Sequence, residues 1–136
     1  MKKIILVSFY LFTTLISFSQ NAQLAEIQDS VGRTLSLKFG YHFELDSGMD
    51  TGCFNYLDSY LSKTNKPFVD GQAHYHDLFI LENDPTDYPP TFFAKGIIES
   101  VESEELESVF NIFEPTRFYV TTKIIDSKNY LIIALD

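Results

Sequence analysis

The sequence predicts an α+β fold: one small domain with a mixed, mainly antiparallel sheet of about five strands and about three helices on one side. Three observations support this class. Apolar residues recur every three to four positions in some segments and every two positions in others. Prolines, glycines and acidic residues cluster between those segments. The chain shows no internal repeat and no low-complexity tract.

A secretory signal peptide is predicted over residues 1–20. Two lysines precede an uncharged apolar run from Ile4 to Phe18, and Ser17 and Ser19 are the small residues expected before a cleavage site. The run is about 15 residues, shorter than the roughly 20 that cross a bilayer as a helix. We therefore expect a mature domain over residues 21–136, located in the periplasm or outside the cell. An uncleaved anchor is the alternative.

The charge balance limits the class of partner. The chain has 10 basic and 19 acidic side chains, and loss of the two leader lysines leaves eight basic ones in the mature domain. The resulting negative electrostatic field repels the phosphates of nucleic acids and anionic lipids, so neither is expected as a partner. It attracts cations and basic proteins. We expect the partner to be another exported or envelope protein.

The first half of the mature domain is predicted as helix, strand and helix. The first helix ends at Gly32, and the segment from Leu35 to Leu45 then alternates apolar and polar residues, which is the strongest strand signal in the chain. A second helix begins near Thr51 and closes before Pro67. The apolar stripes of the two helices are Leu24, Ile27 and Val31, and Cys53, Phe54, Leu57, Tyr60 and Leu61.

Cys53 is the only cysteine, so no disulfide within the chain is expected even in an oxidising compartment. Because Cys53 falls on the apolar face of the second predicted helix, a buried, unreactive thiol is favoured. A disulfide between two chains and a reactive thiol are the alternatives.

The next segments are predicted as two antiparallel strands joined by a proline-rich loop. The first strand runs from Ala73 to Glu82, the second from Thr91 to about Val101, and the prolines between them exclude ladder pairing in the loop. A third helix follows, capped by Ser103. The order therefore reaches α-β-α-β-β-α before the final hairpin.

The last twenty residues are predicted as a β-hairpin. Arg117 to Ile125 forms one strand, and Asn129 is expected to take the left-handed conformation in the turn. The segment from Tyr130 to Leu135 is almost entirely apolar, which is typical of a central strand that is covered on both faces.

Two of the three histidines suggest a metal hypothesis. His74 and His76 lie two apart on a predicted strand, so both imidazoles should share a face, and His42 and Glu44 do the same on another strand. If these strands were neighbours, the four side chains would suit zinc, and a bound water could act as a nucleophile. The alternatives are ordinary histidines at a sheet edge and an acid–base role for one of them.

The loop between the two predicted antiparallel strands is a candidate partner-binding site, because binding residues concentrate in loops held by a rigid sheet. Its candidate residues are Glu82, Asp84, Asp87 and Tyr88. The loop lacks the ligand number and glycine placement of an EF-hand, so we do not predict calcium there.

We assign no catalytic residues, because the sequence has no nucleophile elbow, no cysteine–histidine signature and no glycine-rich phosphate loop. The first functional hypothesis is a small, exported, acidic protein that acts by binding another protein and needs no cofactor. The second is a metal-binding protein or metal-assisted hydrolase that uses His42, His74 and His76 with zinc. The third is a small-ligand pocket lined by the abundant aromatic residues.

Overall fold

The structure is a computed structural model that describes residues 22–64, 73–102 and 104–136. The leader predicted over residues 1–20 and the cap predicted at Ser103 lie outside the described residues. None of the described helices has the length and apolar character needed to cross a bilayer. The elements in chain order are α1 (residues 22–39), β1 (Glu44–Leu45), a 3-10 turn (Ser47–Met49), α2 (Asp50–Ser62), β2 (Tyr75–Leu81), a second 3-10 turn (Pro85–Asp87), α3 (Pro90–Glu102), α4 (Glu104–Phe113), β3 (Arg117–Ile125) and β4 (Lys128–Leu135).

The four strands of the described chain form one mixed sheet in the order β1-β3-β4-β2. β3 and β2 both pair antiparallel with β4, whereas the two-residue β1 pairs parallel with β3. This arrangement confirms the α+β class and the mixed sheet, with four strands where about five were predicted. It also places β1 and β2 at the two opposite edges.

Helices cover both faces of the sheet, so the prediction that they lie on one side was wrong. The first face carries the larger core, to which α1 and α3 contribute, and the second face carries a smaller core with α2. The reason lies in β4, whose residues from Tyr130 to Leu135 are all buried. Its odd-numbered side chains enter the larger core and its even-numbered side chains enter the smaller one. The prediction of a central, doubly covered strand is therefore confirmed.

The strand predicted from Leu35 to Leu45 is wrong, because α1 continues through residue 39 and only Glu44–Leu45 is a strand. Leu35 is completely buried with α1 still helical, while Leu37 is 79% exposed. On a strand, Leu35 and Leu37 would share one face and be buried alike. Because their exposures differ, the alternation in this segment is a coincidence of composition. Gly40, with φ of 77°, ends the helix.

Gly32 brings α1 close to the sheet and does not end the helix as predicted. A Cβ atom at this position would lie 2.5 Å from Cζ and 2.7 Å from Cε1 of Phe118. Phe118 is buried in β3, so its ring has little room to move away. Glycine is therefore required at this position for close packing.

We expect Gly32→Ala to lower the free energy of unfolding by about 1–2 kcal/mol, because the overpacking cost exceeds alanine's advantage in helix propensity. Urea denaturation measures this change. In a Phe118→Leu background the same substitution should cost less, since the shorter side chain leaves space for the methyl group. A stabilising effect of Gly32→Ala in the otherwise unchanged chain would contradict the close contact.

The strand predicted from Thr91 to Val101 is also wrong, because this segment is the helix α3. Its buried residues follow helical spacing and enter the larger core. They are Phe93, Ala94, Ile97 and Val101. Pro90 is the first helical residue, a position that tolerates proline because its missing N–H has no partner within the helix. The proline-rich loop therefore joins a strand to a helix.

The predicted hairpin, the strand within residues 73–82 and the second helix are confirmed as β3–β4, β2 and α2. The hairpin turn contains two residues with positive φ, Asp126 at 49° and Ser127 at 62°. Two such residues are typical of the tight turn that matches the twist of the flanking strands. Asn129 lies in β4, so the left-handed conformation predicted for it was placed wrongly.

Cys53 is fully buried in α2, as predicted from its place on the apolar stripe. Burial in the smaller core raises the pKa of its thiol to about 12, and the nearby Asp50 carboxylate acts in the same direction. The thiol is therefore protonated at neutral pH and shielded from reagents in the folded chain.

Candidate functional site at the β2 edge of the sheet

The four residues of the metal hypothesis do not meet. His42 and Glu44 lie at the β1 edge of the sheet, and His74 and His76 lie at the β2 edge. Three strand spacings separate the two edges, which amounts to about 14 Å, whereas zinc–nitrogen bonds are about 2 Å. Within residues 22–64, 73–102 and 104–136, no group of three or more His, Cys, Asp and Glu side chains could hold a metal ion.

His74 anchors the start of β2 to the end of β4. Its Nδ1 atom lies 2.5 Å from Oδ1 of Asp136, and its ring stacks on Phe113 with 4.3 Å between the ring centroids. The guanidinium of Arg117 donates to the same Asp136 carboxylate and, at 2.8 Å, to Asp46. Two carboxylates and two basic side chains thus tie β1, β3, β4 and the entry to β2 together at one end of the sheet.

His76 lies on β2 in a largely buried position and stacks on Tyr56 of α2, with 4.6 Å between ring centroids and 7° between planes. Its Nε2 atom is buried and has no hydrogen-bond partner among the described residues. Desolvation by burial lowers the pKa of the imidazole to about 4. His76 is therefore neutral at neutral pH, and it contacts a different helix from His74.

Two of the four loop residues are available to a partner. Glu82 and Asp87 are exposed. Asp84 instead caps the second 3-10 turn, where its carboxylate accepts hydrogen bonds at 2.9 Å and 2.7 Å from the amide and hydroxyl of Thr86. Tyr88 packs against the larger core. The loop is therefore a structured continuation of the β2 edge.

The register shows which backbone groups of β2 face away from the sheet. Arg117 and Asp136 exchange both backbone hydrogen bonds, at 2.7 Å and 3.0 Å, so alternate residues of β4 point toward β3 and toward β2. Because Tyr75 lies opposite Leu135, the odd-numbered residues of β2 bond to β4. The residues whose N–H and C=O groups point outward are His76, Leu78 and Ile80.

Within the described residues, this outer edge carries little of the usual protection of an edge strand. No strand of the described chain lies beside it, β2 contains no lysine or proline, and its seven residues pair with β4 without a bulge. Ile80 is 51% exposed. The only charged residue, Asp77, accepts a hydrogen bond from Ser100 of α3 at 2.9 Å. A straight, unpaired row of donors and acceptors is a template for another strand.

Packing on both faces holds β2 rigid. On the first face Gly96 lets α3 approach the ring of Phe79, where a Cβ would lie 2.7 Å from Cε1. On the second face the stack of Tyr56 on His76 joins β2 to α2. An edge fixed in this way presents its backbone groups without a further ordering cost.

A groove of about 610 Å³ lies at the opposite side of the fold, between α1 and β1. Gly32, Phe43, Leu45 and Phe118 form its apolar surface, and its polar side chains include Gln28 and His42. The β3 edge beside it is partly occupied, because Gln28 donates a hydrogen bond to the carbonyl of Val120 at 2.9 Å.

No protein-family model, curated protein or solved structure matches this chain. The fold and the site define an α+β domain with one open, rigid edge strand.

Proposed function

We propose that this chain is a non-catalytic protein-binding module that receives an extended segment of a partner protein on the outer edge of β2. The observation that carries the proposal is the row of outward backbone groups at His76, Leu78 and Ile80, at an edge that no described strand covers. Strand addition of this kind takes affinity from main-chain hydrogen bonds and specificity from alternate side chains.

Two further features support the edge as the docking position. Both sheet faces carry buried cores, so a partner reaches the sheet only along its edges. The loop predicted as a partner-binding site begins at Glu82, directly after the last residue of β2. A strand added to β2 would therefore also reach the exposed side chains of Glu82 and Asp87. The predicted leader supports action outside the cytoplasm, in the periplasm or beyond the cell.

Ile80→Pro tests the proposal, because proline removes an N–H that points outward and leaves the hydrogen bonds to β4 intact. Peptides are first selected from a random library of extended ten-residue segments displayed on phage. Their affinities are then measured for the unchanged chain and the variant. We expect micromolar binders whose affinity falls at least about tenfold in Ile80→Pro.

Ile124→Pro is the matched control. Ile124 is also exposed, and its N–H points away from β4 at the opposite edge of the sheet. This variant should bind the selected peptides as the unchanged chain does, while urea denaturation confirms that both variants fold. Failure to select any peptide, or equal binding by Ile80→Pro, would refute strand addition at β2.

The groove between α1 and β1 favours a second candidate function, the binding of a small ligand. Its volume of about 610 Å³ lies within the range of about 300–1,000 Å³ that is usual for such sites. The groove has an apolar floor and a few polar groups, among them His42, and this composition is also typical of small-ligand sites. Screening a fragment library by ligand-observed NMR, with Ala25→Leu at an exposed position of the groove lining as a control that narrows the groove, tests this function.

A further inference from the structure

We infer that the segment received by β2 is an amphipathic strand with basic side chains at alternate positions, an inference that rests on the proposed function. The first argument is local charge. Residues 74–102, which contain β2, the loop and α3, carry six carboxylates and one lysine. Residues 117–136, which form the β3–β4 hairpin, carry three basic and two acidic side chains. The segment that forms the β2 edge is therefore much more acidic than the hairpin with which it pairs.

Three of these six carboxylates are engaged within the fold. Asp77 bonds to Ser100, Asp84 caps the 3-10 turn, and Glu102 pairs with Lys38 of α1. The other three, Glu82, Asp87 and Glu99, are exposed and form no ion pair with another described residue. Their charges remain available to a partner, and complementary charges raise both the association rate and the specificity of binding.

The second argument is the alternation of side chains along β2. Asp77 lies on the face that packs against α3, and Glu99 neighbours Ser100, which bonds to Asp77. Leu78 and Ile80 lie on the other face, and Ile80 is half-exposed. An added strand places successive side chains on opposite faces. Its basic side chains would therefore lie beside Asp77 and Glu99, and its apolar ones beside Leu78 and Ile80.

Three capped heptapeptides test the inference: one alternates Lys and Val, one Gln and Val, and one Glu and Val. Their affinities are measured by calorimetry in about 50 mM and about 500 mM NaCl, because salt screens exposed charges. We expect the Lys peptide to bind about tenfold more tightly than the Gln peptide at low salt, the advantage to shrink at high salt, and the Glu peptide not to bind.

Charge variants locate the effect. The double variant Glu82→Gln, Glu99→Gln should weaken binding of the Lys peptide by about threefold to tenfold at low salt. The matched control is Glu26→Gln, Glu44→Gln, which removes the same charge from exposed positions on α1 and β1. This control should leave the affinity unchanged. Equal losses in both double variants would show a general field effect and overturn the placement of the basic side chains.

The remaining outcomes separate this inference from the proposed function. Equal binding of the Lys and Gln peptides, both lost in Ile80→Pro, would overturn the basic partner and retain strand addition. Binding of the Lys peptide that survives Ile80→Pro, or no binding of any peptide, would overturn both. Self-association of the chain that Ile80→Pro abolishes would identify a second copy as the occupant and overturn the basic partner.

Discussion

Phe93→Ala is expected to lower the free energy of unfolding by about 3–5 kcal/mol. Phe93 is completely buried in α3 and meets Phe79 edge-on, with 5.5 Å between ring centroids and 88° between planes. Removing the ring leaves a cavity between α3 and the sheet that the rigid surroundings cannot fill. Since domains of this size are stable by only about 5–15 kcal/mol, the variant should lose a large part of its stability.

Phe92→Ala is the matched control, because Phe92 is the preceding residue in the same helix and is 45% exposed. Its removal should cost less than about 1 kcal/mol. Urea denaturation followed by circular dichroism measures both variants. Equal costs at the two positions would contradict the difference in burial between the two side chains.

The second large effect is expected on acidification and depends on His76. In the folded chain its pKa is lowered to about 4 from an ordinary value of 6.5. Between these two pH values the unfolded chain binds a proton that the folded chain does not. Stability therefore falls as the pH is lowered through this window, by roughly 3 kcal/mol in total. Above about pH 6.5 His76 is neutral in both the folded and the unfolded chain, so it no longer makes the stability depend on pH.

His76→Phe should remove this component of acid sensitivity. Phenylalanine keeps an aromatic ring against Tyr56 and removes the buried Nε2 that lacks a partner, so the variant should be at least as stable as the unchanged chain at pH 7.5. At pH 4.5 the variant should exceed it by about 2–3 kcal/mol. His42→Phe, at an exposed position, serves as the control and should leave the curve unchanged. Parallel pH–stability curves for His76→Phe and the unchanged chain would contradict the burial of this imidazole.

The sequence predicted the elements whose local signals agree with one another. In α2 a clear helical stripe predicted the helix, although its N-cap is Met49 and not the predicted Thr51, and in the hairpin two apolar strands flank a polar turn. β4 was identified as central because an apolar run without a polar face must be covered on both faces of the sheet. These conclusions need no knowledge of the neighbouring elements.

The two wrong strands arose where two periodicities compete. Leu35 and Phe39 belong both to the alternation from Leu35 to Leu45 and to the helical series that continues α1. The same holds for α3, in which Phe93 and Ile97 satisfy a period of two as well as a spacing of four. Only burial against a particular neighbour decides between such patterns, and that neighbour is distant in sequence.

The candidate site was beyond local sequence reasoning for a related reason. Whether the histidines converge, and whether β2 is an edge or a centre, depends on strand order. The residues that tie the sheet end together, Asp46, Arg117 and Asp136, are widely separated in the chain and form no motif. The one available signal was the pair of acidic residues Glu82 and Asp87, which does lie at the end of the open strand.

The position of β4 at residues 128–135 has a consequence for the order in which the chain can fold during synthesis. Among the described strands β2 pairs with β4 and β1 pairs with β3, so neither early strand has such a partner until the hairpin has been synthesised. α1, α2 and α3 likewise have no sheet to cover before that moment. The sheet therefore cannot assemble before the β3–β4 hairpin is available, and the pairings of β1 and β2 join segments about fifty or more residues apart, which is expected to make folding slow.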